Sequence, residues 1–334
     1  MDDWRNRRVT VLGLGRHGGG VGAVRWLAAR GARVTVTDLA DEVGLARSIA
    51  ALEGVPIDRW RLGGHDEADF AGAEAVVVNP AIRPNHPLVE FARRSGAAIT
   101  SEIELFLAVC PASVVAVTGT VGKSSTATMI ARIFEAAGER TWLGGNLGGS
   151  LLDVVDRMTR DDRVVLELSS FQLFWLSRQA RMPAAAVLTA FSPHHLDWHG
   201  SIEHYRAAKE RLFREQTSDG IAVIGRGIEP WASIASGRVV SPLNDDLLPE
   251  LTVFGAHQRS NAAIAAAVTT ALGVSTDAVV HGLRRFRDLP HRLELIAEIG
   301  GRRFIDDSKS TSPAATLAAL EACGPQTWLL AGGA

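Results

Sequence analysis

Short runs of apolar, β-branched residues recur along the chain, each ending in a polar or glycine-rich turn. Residues 8–12, 33–37, 75–79 and 97–100 read as strands in the N-terminal part, and 114–118, 140–143, 163–168, 185–188 and 221–224 in the middle. Segments of helical apolar period fall between them: one ending near Arg30, one over 123–137, one after Gly148, and an amphipathic one over 202–216. A further Ala-rich helix has Asn261 in its first turns. Strand–turn–helix alternation of this kind predicts an α/β protein with parallel sheets.

The pattern divides the chain into three parts. A small Rossmann-like domain is expected over residues 1–102, a second α/β domain over 103–289 and the start of a third over 290–334, with Leu289-Pro290-His291-Arg292 as the joint. Residues 218–249 predict little beyond their one strand and a loop rich in Gly, Pro and Asp. The last part offers a strand from Phe304, a helix and a strand over 327–330. One βαβ unit cannot bury both faces of its sheet, so the third domain is expected to be incomplete.

Candidate chemistry sits at the strand ends. Val114 to Thr126 reads VVAVTGTVGKSST, a strand, a Gly-rich turn and a helix start. Unpaired N–H groups and the positive end of the helix dipole converge in such a turn and bind phosphate. Lys123 would reach the terminal phosphates of a nucleoside triphosphate and Ser124 would hold magnesium. Val117 stands where the strict motif has glycine, so the loop is a shortened variant. Glu167, near the end of a strand in the same sheet, is the expected carboxylate for the nucleotide-bound magnesium.

A second loop, Gly13-Leu14-Gly15-Arg16-His17-Gly18, follows the first strand, and Asp38 closes the second. Read alone, that is a dinucleotide fingerprint with an acidic group for a ribose. Asn79-Pro80-Ala81 lies past another strand end, where open sheets bind ligands. His194, His195, Asp197 and His199 crowd together like a metal site, but without an HExxH spacing zinc is the less favoured reading.

Composition narrows the class. The chain of 334 residues is 46% hydrophobic and 22% charged with net charge −2, which gives no electrostatic reason for nucleic acid or an acidic membrane. No apolar run approaches spanning length, and Cys110 and Cys323 stand far apart, so a cytoplasmic protein with reduced thiols is expected. Of 35 basic side chains only three are lysine: Lys123, Lys209 and Lys309. A chain that uses Arg for ordinary surface cations keeps lysine where a compact ammonium or reactive amine is needed. All three are therefore active-site candidates.

Together, TGTVGKSS, GGNLG, ELSSFQL, HHLD, YRAAK, GAHQRSN, LPHR and DDSKST resemble, in order and along the whole chain, the Mur ligases of peptidoglycan synthesis. The resemblance implies three domains: a Rossmann-like UDP-binding domain, a central P-loop ATPase domain, and a Rossmann-like C-terminal domain that extends past residue 334 in the family. It implies ATP-dependent amide ligation through an acyl phosphate. Residues 167–173 and 307–311 are most similar to the members that add D-glutamate to UDP-N-acetylmuramoyl-L-alanine.

By matched position, Gly119, Thr120, Gly122, Lys123, Ser124 and Ser125 would surround the ATP phosphates. Asn261, Arg292 and Asp307 would bind adenine, phosphate and ribose. Ser124, Glu167, His195 and a carbamylated Lys209 would hold two Mg2+ ions, and Lys309 would stabilise developing charge. The resemblance makes UDP, not NAD, the first domain's ligand. Gly15, Arg16, His17, Asp38, Asn79, Ala81, Asn146 and Ser169 would meet the UDP-substrate, and Thr311 the D-glutamate carboxylate. Departures from the family pattern are Val121 for asparagine, His194 for an acidic residue, Ala81 for glycine, and Arg16-His17. A monomer acting on small molecules is expected, with no nucleic acid and no membrane. The rivals are an NAD-dependent oxidoreductase, a ligase adding another amino acid, and a non-catalytic paralogue that binds UDP-sugar or ATP.

Overall fold

A computed structural model describes residues 3–16, 18–251, 253, 255–287, 289–310 and 313–332. Strand β1 (Arg8–Leu12) leads through α1 (Gly19–Ala29) to β2 (Arg33–Asp38), α2 (Ala46–Ala50), β3 (Arg59–Leu62), β4 (Ala75–Val78), α3 (Pro87–Arg94) and β5 (Ala98–Thr100). Among the described residues these strands form one parallel sheet in the order β3-β2-β1-β4-β5. The β4 run AVVV is buried at every position, as a strand covered by helices on both faces must be.

Helix α4 (Glu102–Val109), capped by Ser101, carries the chain into a second sheet. There β6 (Ser113–Thr118), α5 (Lys123–Ala136), β7 (Thr141–Gly145), β8 (Arg163–Glu167) and α6 (Ser170–Phe174) are followed by β9 (Ala185–Leu188), α7 (Leu196–His199) and α8 (Ile202–Arg214). β10 (Ile221–Ile224), β11 (Arg238–Val240), α9 (Ala256–Ala271) and α10 (Thr276–Arg285) complete it. The order is β11-β10-β9-β6-β8-β7, again all parallel. In each sheet the chain leaves the first strand for one side and later for the other. The crevices at the C-terminal ends of β1 and β6 are therefore the ligand positions of doubly wound folds.

Beyond α10 come β12 (Glu294–Ile299), β13 (Arg302–Asp306) and α11 (Pro313–Cys323). The two strands form an antiparallel hairpin, so the described part of this region is not the βαβ unit expected. Residues 327–330 form no strand, and Trp328 and Leu330 are each 96% exposed. A β-prone run with no neighbouring strand leaves its backbone groups to water. The helix expected after Gly148 is also replaced, by the 3-10 turns Leu151–Asp153 and Val155–Arg157. Leu151, Leu152 and Val155 there are buried in a core shared with Val24 and Leu27 of α1. Tertiary burial has overridden local helical preference.

That core joins the two parallel sheets, since it contains Val9, Val34 and Val77 of the first and Ala116, Val164 and Leu188 of the second. Arg25 pairs with Asp153 at 3.1 Å and Arg30 with Asp156 at 2.6 Å across the same seam.

Candidate active site

The phosphate loop lies between β6 and α5, with Gly122 at φ 83 as the N-cap of α5. A Cβ on Gly122 would lie 2.4 Å from Asn261 Oδ1 of α9, and the positive φ there suits glycine in any case. Lys123 Nζ donates to the carbonyl of Thr120 at 3.0 Å, folding the lysine back over its own loop. Burial, with Arg292 nearby, holds its amine below the ordinary lysine range, while Glu167 pulls the other way. Arg292 Nη2 donates to Ser124 Oγ at 3.2 Å and so brings the C-terminal part onto the first turn of α5.

Glu167, at the end of β8, is 2% exposed. Its Oε1 accepts from Asn146 Nδ2 at 2.9 Å, while its buried Oε2 has no partner among the described residues. A buried carboxylate oxygen with no donor is costly, and a bound cation relieves that cost. Gly145, at φ +84, lets Asn146 turn there: a Cβ at Gly145 would sit 2.3 Å from the Glu167 carbonyl oxygen.

Lys209 lies on the inner face of α8 and is 1% exposed. Its Nζ donates to the Gly119 carbonyl at 2.9 Å and to Thr118 Oγ1 at 3.2 Å, 4.8 Å from the centre of the Tyr205 ring. Burial, reinforced by Lys123, pushes the amine well below the usual lysine pKa, against the pull of Glu167. Tyr205, one helical turn earlier, hydrogen-bonds Thr120 Oγ1 at 2.9 Å, and Thr120 donates to the Ser192 carbonyl at 3.0 Å. Burial raises the phenol to about 12, so it stays protonated as a donor.

His195 caps α7 in a left-handed conformation at φ 53. Burial, then His194 and Lys123, lowers its imidazole to about 4, leaving it neutral and able to ligate. The run from His194 to His199 does not gather three ligand atoms among the described residues, which leaves the zinc reading unsupported. His199 is instead held by Ser170 Oγ and His204 Nδ1, each at 2.9 Å.

Comparison with known proteins fits this geometry. Residues 7–101 match the N-terminal domain described as Mur ligase MurD-like, and residues 117–240 match the Mur ligase middle domain. A UDP-N-acetylmuramoylalanine–D-glutamate ligase of Roseiflexus sp. (strain RS-1) is 36% identical, over 98% of this chain and 78% of that protein. Its counterpart in Geobacter metallireducens is 37% identical over 98% and 77%. This chain belongs to the Mur ligase family. The fold agrees: UDP-N-acetylmuramate-alanine ligase of Thermotoga maritima superposes with TM-score 0.58 at 21% identity, over 95% of this chain and 77% of that one. A ligase acting on UDP-N-acetylmuramate from Neisseria meningitides gives 0.60 at 19% identity, over 85% and 99%.

The other residues expected to serve a Mur ligase fall into three groups. At the β1 crevice Asp38 accepts from the Gly15 N–H at 3.0 Å, and Asn79 Nδ2 donates to the Gly13 carbonyl at 3.1 Å. Arg16 Nε donates to the Gly44 carbonyl, and Ala81 N–H to Asn79 Oδ1. Ser169 forms a capping box with Gln172 at the start of α6, beside Glu167. In the hairpin region Asp307 accepts from the Leu293 N–H and from Ser310 Oγ, and Lys309 stands exposed in the turn after β13. His17 and Thr311 lie outside the described residues.

Sequence reasoning did not single out Thr189, whose hydroxyl donates to the Val121 carbonyl at 2.5 Å. Nor did it find His65, which meets Thr37 Oγ1 at 2.6 Å and packs 6.0 Å from His86 near Asp38. Neither residue belongs to a motif, so contacts across the fold alone mark them. No described helix is long and apolar enough to cross a membrane.

Proposed function

We propose that the chain catalyses ATP-dependent ligation of D-glutamate to UDP-N-acetylmuramoyl-L-alanine. The observation that carries this reading is the buried, half-satisfied Glu167 carboxylate, with Lys123 and a low-pKa Lys209 as its neighbours. In chemical terms, the substrate carboxylate attacks the γ-phosphorus of ATP, one C–O–P linkage forms and ADP leaves. The D-glutamate amine then attacks the acyl carbon, loses a proton and expels phosphate. The first step is governed by positioning and charge neutralisation.

In this reading residues 1–102 bind the UDP-substrate, 103–289 bind ATP, and 290–334 begin the amino-acid-binding domain. Lys123, with Gly119, Thr120, Gly122, Ser124 and Ser125, cradles the phosphates. Asn261, Arg292 and Asp307 hold the rest of the nucleotide. Gly15, Arg16, His17, Asp38, Asn79, Ala81, Asn146 and Ser169 seat the UDP-substrate, Lys309 offsets developing charge and Thr311 meets D-glutamate.

Ser124 and Glu167 would hold one Mg2+ ion, and His195 with Lys209 a second. The donor set fits, being a hydroxyl, a carboxylate oxygen lacking a partner and a neutral imidazole. Bound Mg2+ supplies charge neutralisation at the transferring phosphoryl group. Lys209 takes part as a carbamate: its unprotonated amine adds to carbon dioxide, releases a proton and becomes an anionic oxygen ligand. Arginine has no such amine to offer.

The test is ADP release with Mg2+, ATP and UDP-N-acetylmuramoyl-L-alanine, adding D-glutamate, L-glutamate, L-lysine or diaminopimelate in turn. Turnover with D-glutamate alone is expected. Turnover with another amino acid would replace the substrate and keep the chemistry. Binding of the UDP-sugar without turnover would favour a non-catalytic role.

A further inference from the structure

The indole of Trp198 bridges the two parallel sheets. Its Nε1–H donates to the carbonyl of Ala81 at 3.1 Å, in the loop after β4. Ala81 N–H in turn donates to Asn79 Oδ1 at 3.0 Å, and Asn79 Nδ2 to the Gly13 carbonyl at 3.1 Å. One unbroken set of bonds therefore runs from the glycine loop of the first sheet to a side chain of the second.

On its other side Trp198 belongs to an aromatic block that ends on His195. Its ring centre lies 4.8 Å from Phe171, and Phe171 lies 4.7 Å from His195. His199 backs the block, stacked 5.6 Å from Phe171 with 16° between the planes. Trp198 N–H also donates to the His195 carbonyl at 3.2 Å within α7. At the start of α7 the His195 ring meets Phe171 at 4.7 Å and His194 at 3.8 Å between centres.

We propose that Trp198 is a positioning residue that couples seating of the UDP-substrate at the N-terminal glycine loop to the orientation of His195 beside the phosphate loop. The proposal rests on the functional reading above. A substrate that shifts the Asn79–Ala81 loop pulls on the indole N–H, and the close-packed rings pass the displacement to His195. Coupling of this kind is reciprocal, so nucleotide and Mg2+ at the phosphate loop must tighten the UDP-substrate by the same factor.

The experiment is calorimetric titration of UDP-N-acetylmuramoyl-L-alanine into the full chain, with and without saturating Mg2+ and a non-hydrolysable ATP analogue. For the wild type, nucleotide is expected to tighten binding by about fivefold or more. Trp198→Phe keeps a ring against Phe171 and removes the N–H. It should reduce that factor to about twofold or less, leaving affinity without nucleotide and the thermal midpoint near wild type. A merely structural role would change the midpoint and not the ratio. If Trp198→Phe fails to fold, Phe171→Leu, which leaves the indole bond and thins the contact with His195, carries the same expectation. Undiminished coupling in the variant, or none in the wild type, overturns the proposal. A wild type that does not bind the UDP-sugar at all overturns the functional reading first.

Discussion

Lys209 owes its chemistry to where its amine has been put. With the side chain 1% exposed and Lys123 nearby, burial and like charge favour the neutral form at a pH where an exposed lysine stays charged. Lys209→Arg restores a permanent cation that cannot become a carbamate. Steady-state ADP release should fall by about 100-fold, while equilibrium dialysis finds ATP-analogue binding largely kept. Glu167→Gln preserves an acceptor for Asn146 and loses the charge. The Mg2+ concentration for half-maximal rate should rise by about 10- to 100-fold in a Mg2+ titration, and an unchanged midpoint would remove Glu167 from the metal site. The scarcity of lysine and the GKS loop were readable from the chain. The bond from Arg292 to Ser124 and the ring of Tyr205 under Lys209 were not, because residues far apart in sequence meet only once both sheets exist.

At the scale of elements, α8 does two jobs with one face. Tyr205 and Lys209 are four residues apart, so both point at the end of β6. The Tyr205 hydroxyl holds Thr120 Oγ1, and Thr120's own bond to the Ser192 carbonyl ties the phosphate loop to the segment after β9. Tyr205→Phe should cost about 1 kcal/mol in urea unfolding, the usual worth of one buried hydrogen bond, with little change in the transition slope. Strands buried on both faces, such as β4, β9 and β10, were plain in the sequence because their apolar runs are continuous. Strand β3, reading RWRL at a sheet edge, gave no such signal. The run at 327–330 gave a strand signal but pairs with no strand among the described residues, and the turns at 151–157 gave up helical period for contact with α1.

For the whole molecule, the shared core makes the two parallel sheets a single packed body, with α1 and the turns at 151–157 at its seam. Glu102 sits in that seam, bonded to Ser150 Oγ, and burial raises its carboxyl from 4.5 to about 7. The native state thus holds this proton more tightly than the unfolded chain does. Stability linked to Glu102 is full below about pH 4.5 and declines as pH rises through about 7. Glu102→Gln should show a thermal midpoint that gains on the wild type steadily between about pH 5 and 8. A constant difference across that range would place the proton elsewhere. The three lysines are also unequally placed: Lys209 is sealed under the phosphate loop, Lys123 is folded against Thr120, and Lys309 alone stands exposed. Among the lysines, a mild acylating dye should therefore mark Lys309 almost exclusively. Apart from the α-amine, the protein thus carries one built-in amine attachment point, on its C-terminal hairpin region, ready to report distance changes there by fluorescence without any engineered cysteine.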